Sequence, residues 1–339
     1  MREYFRPVPS TDRGRPDTAR SLAGTWCWFD QIEVLSRHAP ARVIPAKDAP
    51  QTVIDTLSQP RTPIAGLRFA TPKLMGILNV TPDSFSDGGT HFDPAAALAG
   101  THAMIAEGAD LIDVGGESTR PGATEVEVAE EIRRTAPVIE AIRAETEIPV
   151  SIDTRKAPVA RAAHAAGAGI VNDVAGFTFD PDLAPFCAKA GLPVMVMHAQ
   201  GTPDVMQNDP RYGHVALDVY DFLEERVAAL QDIGIPRTQI VVDPGIGFGK
   251  TLEHNLTLLA HLSLFHGLGG PILLGASRKR FIGTLGGAEE ARHRAPGSIG
   301  VALAGLSQGV QMLRIHDVGP TREAMRLWWA ATFGNPLVY

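Results

Sequence analysis

Eight short apolar runs punctuate residues 73–316. Each stops abruptly at a polar or small side chain: Asn79, Asp113, Asp153, Asn172, His198, Asp243, Ser277 and His316. Runs such as Ile170-Val171, Val194-Met195-Val196-Met197 and Ile240-Val241-Val242 are continuous rather than alternating. Strands covered on both faces need that composition. The first run, Met75 to Leu78, breaks at Asn79 into a loop holding Pro82 and Gly88-Gly89, where no strand continues. Between the runs lie segments with helical spacing: 94–107, 129–144, 158–166, 183–190, 214–233, 253–262, 299–308 and 321–333. Pro94 stands at a helix-opening position, and Gly108, Gly167, Gly191, Gly234 and Gly309 stand where helices close. Eight buried strands alternating with eight helices predict an α/β protein, a (β/α)8 TIM barrel over residues 73–339. All eight polar strand ends then share one rim, where catalysis sits in this fold.

Residues 1–72 read differently. They are rich in Pro and Arg, hold Trp26 and Trp28, and show no long period. One short helix is predicted over 48–57 with Asp48 as its cap. The segment reads as a poorly patterned extension laid over the barrel, or as a partner-binding or dimer-contact element.

Composition narrows the function. A 339-residue chain with 44% hydrophobic and 20% charged residues has an ordinary core. Its net charge of -7 argues against a general nucleic-acid surface while leaving room for local basic pockets. The two cysteines, Cys27 and Cys187, have no partner-like spacing, so neither a disulfide framework nor a zinc site is expected. The longest apolar runs fall short of a membrane span. No apolar stretch follows the charges of Met1 to Arg6, so no signal peptide is expected and the cytoplasm is the expected compartment.

At the rim, Asp153, Asn172 and Asp243 would converge over the barrel mouth. Buried carboxylates are costly unless they meet donors. Two carboxylates and an amide suit a flat ligand rich in N–H groups, such as an aminopyrimidine ring. In Gly275-Ala276-Ser277-Arg278-Lys279-Arg280, small residues precede a Ser able to begin a helix, and three cations follow. Barrels often bind anions there, beside strands seven and eight. Arg314 and His316 alternate at the end of strand eight, and Asn79 neighbours them once the barrel closes. The three read as a polyphosphate seat with Mg²⁺, which prefers oxygen ligands. Residues 81–92 and 115–122 have the Gly, Ser and Pro content of lids, with Arg120 as a diphosphate clamp and Phe85 as a cover for an aromatic co-substrate. The run Gly245 to Thr251 ends like a nucleotide loop, but Pro244 stands where the first Gly belongs. No G-x-G-x-x-G follows the first strand, which weakens a dinucleotide reading.

Six runs together resemble dihydropteroate synthase. They are Met75-Gly-Ile-Leu-Asn-Val-Thr-Pro-Asp-Ser-Phe-Ser-Asp-Gly-Gly89, Asp113-Val-Gly-Gly-Glu-Ser-Thr-Arg-Pro-Gly122, Ser151-Ile-Asp-Thr-Arg155, Asp243-Pro-Gly-Ile-Gly-Phe-Gly-Lys250, Ser277-Arg-Lys279 and Arg314-Ile-His-Asp-Val318. The resemblance spans residues 73–333, every motif in order. It implies a folate-pathway transferase joining 6-hydroxymethyl-7,8-dihydropterin diphosphate to p-aminobenzoate by an SN1-like path. It further implies that Asp153, Asn172, Asp243 and Lys279 hold the pterin. Asn79 would bind Mg²⁺ and diphosphate, with Arg120, Arg314 and His316 on the same group. Phe85, Thr119, Pro121, Phe248 and Ser277 would shape the p-aminobenzoate pocket. The catalytic set is then Arg120, Asp153, Lys279, Arg314 and His316. A homodimer through late helices and competition by sulfonamides are also implied. A pterin-binding methyltransferase shares the pterin carboxylates, but it has no need of Ser277-Arg278-Lys279 together with Arg314-Ile315-His316. A non-catalytic pterin-binding module is the other alternative, and intact Asn79, Arg120, Lys279 and His316 argue against it.

Overall fold

The computed structural model describes residues 2–81, 94–118, 124–201 and 209–337. The N-terminal segment is more ordered than its sequence suggests. It forms β1 (Tyr4–Pro7), β2 (Arg20–Ser21), β3 (Trp28–Phe29), β4 (Gln31–Leu35), β5 (Arg42–Pro45) and α1 (Gln51–Ser58). β1, β4 and β5 make an antiparallel sheet, and β2 pairs with β3. Strands of two to five residues are too short to print a period on the sequence. Leu22, Cys27, Phe29, Ile32, Val34, Ala46, Ile54 and Leu57 give the segment its own core. Asp48 does not cap α1. Pro50 pushes Ala49 into an extended conformation (φ −81°, ψ 157°). The helix therefore cannot reach back through Ala49, and it starts at Gln51 with Pro50 before it.

The barrel follows. Its elements are β6 (Lys73–Asn79), α2 (Pro94–Ala106), β7 (Leu111–Gly115), α3 (Val128–Glu145), β8 (Val150–Asp153), α4 (Ala157–Ala165), β9 (Ile170–Asp173) and α5 (Leu183–Ala190). They continue with β10 (Val194–Met197), α6 (Val215–Asp232), β11 (Ile240–Asp243), α7 (Leu252–Ala260), β12 (Leu273–Leu274), α8 (Arg280–Gly286), α9 (Ala295–Leu306), β13 (Met312–Ile315) and α10 (Val318–Phe333). The eight strands are parallel in the order β11-β10-β9-β8-β7-β6-β13-β12. A bridge between Val242 and Ile272 joins the two ends and closes the ring. The expected (β/α)8 architecture is present, with one addition: α8 is a short helix that the periodicity did not announce. α9 starts four residues before its predicted start, because Pro296 is tolerated in a first turn. β12 is only two residues long and ends before Ser277. The five glycines expected to close helices all adopt positive φ.

The barrel strands alternate between two cores. Leu74, Ile112, Val114, Ile152, Val171 and Val196 face outward under the helices. Met75, Leu111, Ile170, Met195, Val241, Leu273 and Met312 fill the lower interior. Ile64, Leu67 and Phe69, from the connection into β6, plug that interior from below. The extension is fastened to the same end. Trp26 Nε1 donates to Leu306 O (2.8 Å), Arg61 to His266 O (2.8 Å) and Ser263 Oγ to Pro7 O (2.9 Å). Arg37 spans Asp218 and Asp221 on α6. Among the described residues no helix is long and apolar enough to cross a membrane. Both cysteines are buried free thiols.

Truncating the plug is expected to be costly. Phe69→Ala should lower the unfolding free energy by about 3–5 kcal/mol in urea titrations. A loss below 1 kcal/mol would show that the barrel floor does not need its plug.

Candidate active site

Above the apolar layer the barrel interior turns polar. Period-two alternation carries this change directly: Asp113 follows Leu111 on β7, Asn172 follows Ile170 on β9, and Arg314 follows Met312 on β13. Asp113 is wholly buried and sits at the centre. Its Oδ1 accepts from Ser151 Oγ (2.6 Å); its Oδ2 accepts from Arg314 Nε (2.7 Å) and Asn172 Nδ2 (3.2 Å). Arg314 donates through its other arm to Asp153 Oδ2 (2.7 Å). Arg314 is thus held on the floor between two carboxylates. Asp243 completes the floor, and its Oδ1 accepts the backbone N–H of Gly245 (2.7 Å).

The loop after β11 is stapled from beneath. Gly245 has φ +68°, and a Cβ there would lie 1.9 Å from the carbonyl oxygen of His198, so only glycine fits. Lys250 is buried in the loop and donates to Gly245 O (2.8 Å), Phe248 O (2.9 Å) and His198 Nδ1 (2.9 Å). The lysine of the false nucleotide loop therefore serves its own backbone. Burial lowers Lys250 to about 7, and burial beside this lysine drives His198 down to about 2, leaving a neutral ring that accepts. The loop presents Phe248, and Lys279 Nζ lies 3.8 Å from the centre of its ring.

Lys279 and Ser277 are set by the residue between them. Arg278 takes a left-handed conformation (φ 57°), unusual for a non-glycine residue. It is held there by Ser298 Oγ on its N–H (2.8 Å), Arg294 on its carbonyl (3.1 Å) and a two-armed pair with Asp317. The Arg278 side chain turns to Asp317. Ser277 Oγ accepts the backbone N–H of His316 (3.1 Å) and lies 3.0 Å from its Nδ1. Ser277 does not begin a helix; Lys279 occupies the position before α8.

At the first strand, Asn79 Oδ1 and Asp153 Oδ2 both lie within 4 Å of the point where a Gly115 Cβ would stand. The other wall carries a buried charge network. Glu117 accepts from Arg155 and Lys156 (2.8 Å each), and Lys156 also reaches Glu131 (2.9 Å). Phe85, Thr119, Arg120 and Pro121 lie outside the described residues, as does most of the two glycine-rich loops. The predicted residues that are described, Asn79, Asp153, Asn172, Asp243, Phe248, Ser277, Lys279, Arg314 and His316, all belong to strand ends or the loops that leave them. The sequence marks Asp113 as a strand end, Lys250 as part of a nucleotide-like run and Arg278 as one of three cations, and carries no sign that each organises the residues around it.

Burial raises two floor carboxylates, Asp243 and Asp153. Asp243 is pushed up to about 6, against the pull of the Gly245 N–H and Lys279. Asp153 is raised by burial and by Asp113, and lowered by Arg314. Three carboxylates share the floor with Arg314, with Lys279 at its edge and Lys250 beneath, and the acceptor oxygens they present favour N–H donors and positive charge growing above them.

The known proteins that this chain is similar to agree with that geometry. The family model described as pterin binding enzyme matches residues 75–316. The dihydropteroate synthase of Escherichia coli K12 is 46% identical over 261 residues, covering 77% of this chain and 92% of that protein. The chain belongs to the dihydropteroate synthase family of pterin binding enzymes. Solved members superpose on it closely. Xanthomonas albilineans dihydropteroate synthase with 4-aminobenzoic acid has a TM-score of 0.76 at 47% identity, covering 81% of this chain and 98% of that one. The same enzyme with 7,8-dihydropteroate has a TM-score of 0.73 at 44% identity, covering 81% and 99%. The Yersinia pestis synthase with a sulfonamide drug has a TM-score of 0.75 at 43% identity, covering 80% and 98%. The extension accounts for most of the unmatched chain.

The raised carboxylates make a pH prediction. Asp243 binds its proton more tightly folded than unfolded, so its contribution to stability is full below the ordinary carboxylate value and is lost as pH rises through about 6. Asp243→Asn should therefore raise the unfolding free energy of the ligand-free protein at pH 8 by on the order of 1–3 kcal/mol, seen as a higher melting temperature. It should also weaken pterin binding. In the wild type, pterin affinity should increase as pH rises through about 6. Unchanged melting at pH 8 together with pH-independent pterin binding would contradict this electrostatic account.

Proposed function

We infer that this barrel is a dihydropteroate synthase. It joins 6-hydroxymethyl-7,8-dihydropterin diphosphate to p-aminobenzoate, giving 7,8-dihydropteroate and diphosphate. The observation that carries the reading is the acceptor floor of Asp153, Asn172 and Asp243, with Lys279 and Phe248 at its edge. Asp153, Asn172, Asp243 and Lys279 hold the pterin. Its C–O bond to diphosphate breaks first, positive charge grows on the pterin and its methylene, and the floor stabilises that charge. The neutral amine of p-aminobenzoate then bonds to the methylene and loses a proton, a step that needs no strong base. Phe248 and Ser277 line the aromatic acid's side together with Phe85, Thr119 and Pro121. Arg120 and His316 bind the departing diphosphate. Arg314 holds Asp113 and Asp153, and its exposed edge meets the same anion.

Mg²⁺ fits this site. The amide oxygen of Asn79 is a hard donor at the rim, near a carboxylate oxygen of Asp153. Among the described residues no three His, Cys, Asp or Glu side chains gather as a metal site. Diphosphate oxygens would supply the remaining ligands, as Mg²⁺ commonly requires. When bound, the ion neutralises charge on the leaving group. Sulfonamides would compete with p-aminobenzoate, as the Yersinia complex supports. The two buried thiols suit a reducing cytoplasm.

The late helices support a homodimer. α9 is apolar, yet Gly300 and Ala304 are exposed and Ile299, Val301 and Leu303 are only half covered. Leu327 on α10 is 65% exposed, and Leu285 at the end of α8 is 59% exposed. Leu327→Lys should convert a dimer in light scattering into a 36.2 kDa monomer. A wild type that is already monomeric at micromolar concentration would remove the proposal.

The direct assay is diphosphate release and dihydropteroate formation by the purified chain. Removal of Mg²⁺ by a chelator should abolish both, and added Mg²⁺ should restore them. Lys279→Ala should lose mainly pterin affinity, and Arg120→Ala mainly turnover, each by about 10²-fold. Wild-type protein that binds the pterin but never releases diphosphate would favour a non-catalytic module.

A further inference from the structure

Asp113 is the one floor carboxylate to which the reaction above assigns no contact with substrate. Nothing about its burial is incidental. It is fully enclosed, and Ser151, Arg314 and Asn172 converge on its two oxygens. A carboxylate paired with a guanidinium accepts hydrogen bonds and donates none. Asn172 can therefore meet it only through its NH₂ group. One N–H is bound to Asp113, so the amide oxygen and the second N–H are held in a single order. An uncommitted amide could turn over and present the reverse order.

We propose that Asp113 is a positioning residue that sets the donor–acceptor code of the pterin wall. It locks the Asn172 amide in one of its two flips and holds Arg314 against the floor. The wall then accepts a 2-amino-4-oxo ring and rejects the 4-amino-2-oxo isomer, which has the same shape with its donors and acceptors exchanged. Discrimination of this kind is large when a mismatch leaves buried polar groups unpaired. The inference rests on the dihydropteroate synthase reading for the identity of the ring.

Asp113→Asn is the informative variant. It keeps the size of the side chain, but an amide can accept from or donate to Asn172 and so permits both flips. The measurement is the ratio of affinities for 6-hydroxymethylpterin and its 4-amino-2-oxo isomer, by calorimetry. The ratio should fall by about tenfold or more in Asp113→Asn. A merely structural role would weaken both ligands alike and leave the ratio unchanged. A ratio within twofold of wild type overturns the proposal. The wild type provides a second test should the variant fail to fold. The Asn172 side-chain amide, assigned by its loss in Asn172→Ser, should contain one N–H that exchanges with solvent about a hundredfold more slowly than an exposed amide in the ligand-free protein. Exchange as fast as that of exposed Asn335 also overturns it. Dihydropteroate formation is scored in the same preparation. An inactive wild type therefore reports against the enzyme reading, while the amide exchange still decides the role of Asp113.

Discussion

The buried arrangement of Arg314 between Asp113 and Asp153 is the constraint on which the upper barrel depends. Ions inside a protein are tolerable only when each charge is matched and its remaining hydrogen-bonding capacity is used. Here Ser151 and Asn172 supply what Arg314 leaves unmet on Asp113. The barrel thus carries two interiors, one stacked on the other. Met75, Leu111, Ile170 and Met312 pack an apolar base that drives folding. The polar storey above it presents hydrogen-bonding groups to the barrel mouth.

That division explains where rigidity is concentrated. The floor is useful only if its rim loops stand in fixed places, and three of the described loops are tied by charged side chains. Lys250 satisfies three acceptors under the Gly245–Phe248 turn. Arg278 is held left-handed by contacts on both its N–H and its carbonyl, which leaves Ser277 and Lys279 on the site while its own side chain leaves for Asp317. Glu117, Glu131 and Lys156 do the same for the β7 wall. These charges are expensive to bury singly, and their pairing makes the loop positions hard to relax. The strained backbone at Arg278 is the kind of feature that accumulates at functional sites because the surroundings over-determine it.

The extension belongs to the other end of the barrel. Its plug of Ile64, Leu67 and Phe69 completes the apolar base, and its small sheet covers the turns leading into β12. Its contacts reach the barrel's lower end and, through Arg37, the first turns of α6.

The sequence by itself determined the fold and which polar residues stand at the strand ends. Near-continuous apolar runs ending in single polar residues dictate parallel strands buried on both faces, and strand closure then delivers Asp153, Asn172, Asp243, Arg314 and His316 to one rim. Glycine positions marked five helix ends correctly, because a left-handed turn has few other occupants. The extension was illegible because strands of two to five residues carry no readable period and Pro50 overrode the capping residue at Asp48. Only the tertiary structure decided which partner each rim residue takes. Arg314 takes Asp113 and Asp153 on the floor with two of its arms, and Lys250 takes its own loop rather than a phosphate. Periodicity fixes the side of a strand on which a side chain stands. The hydrogen bonds available at that place, between segments as far apart as Asp113 and Arg314, fix what it does there.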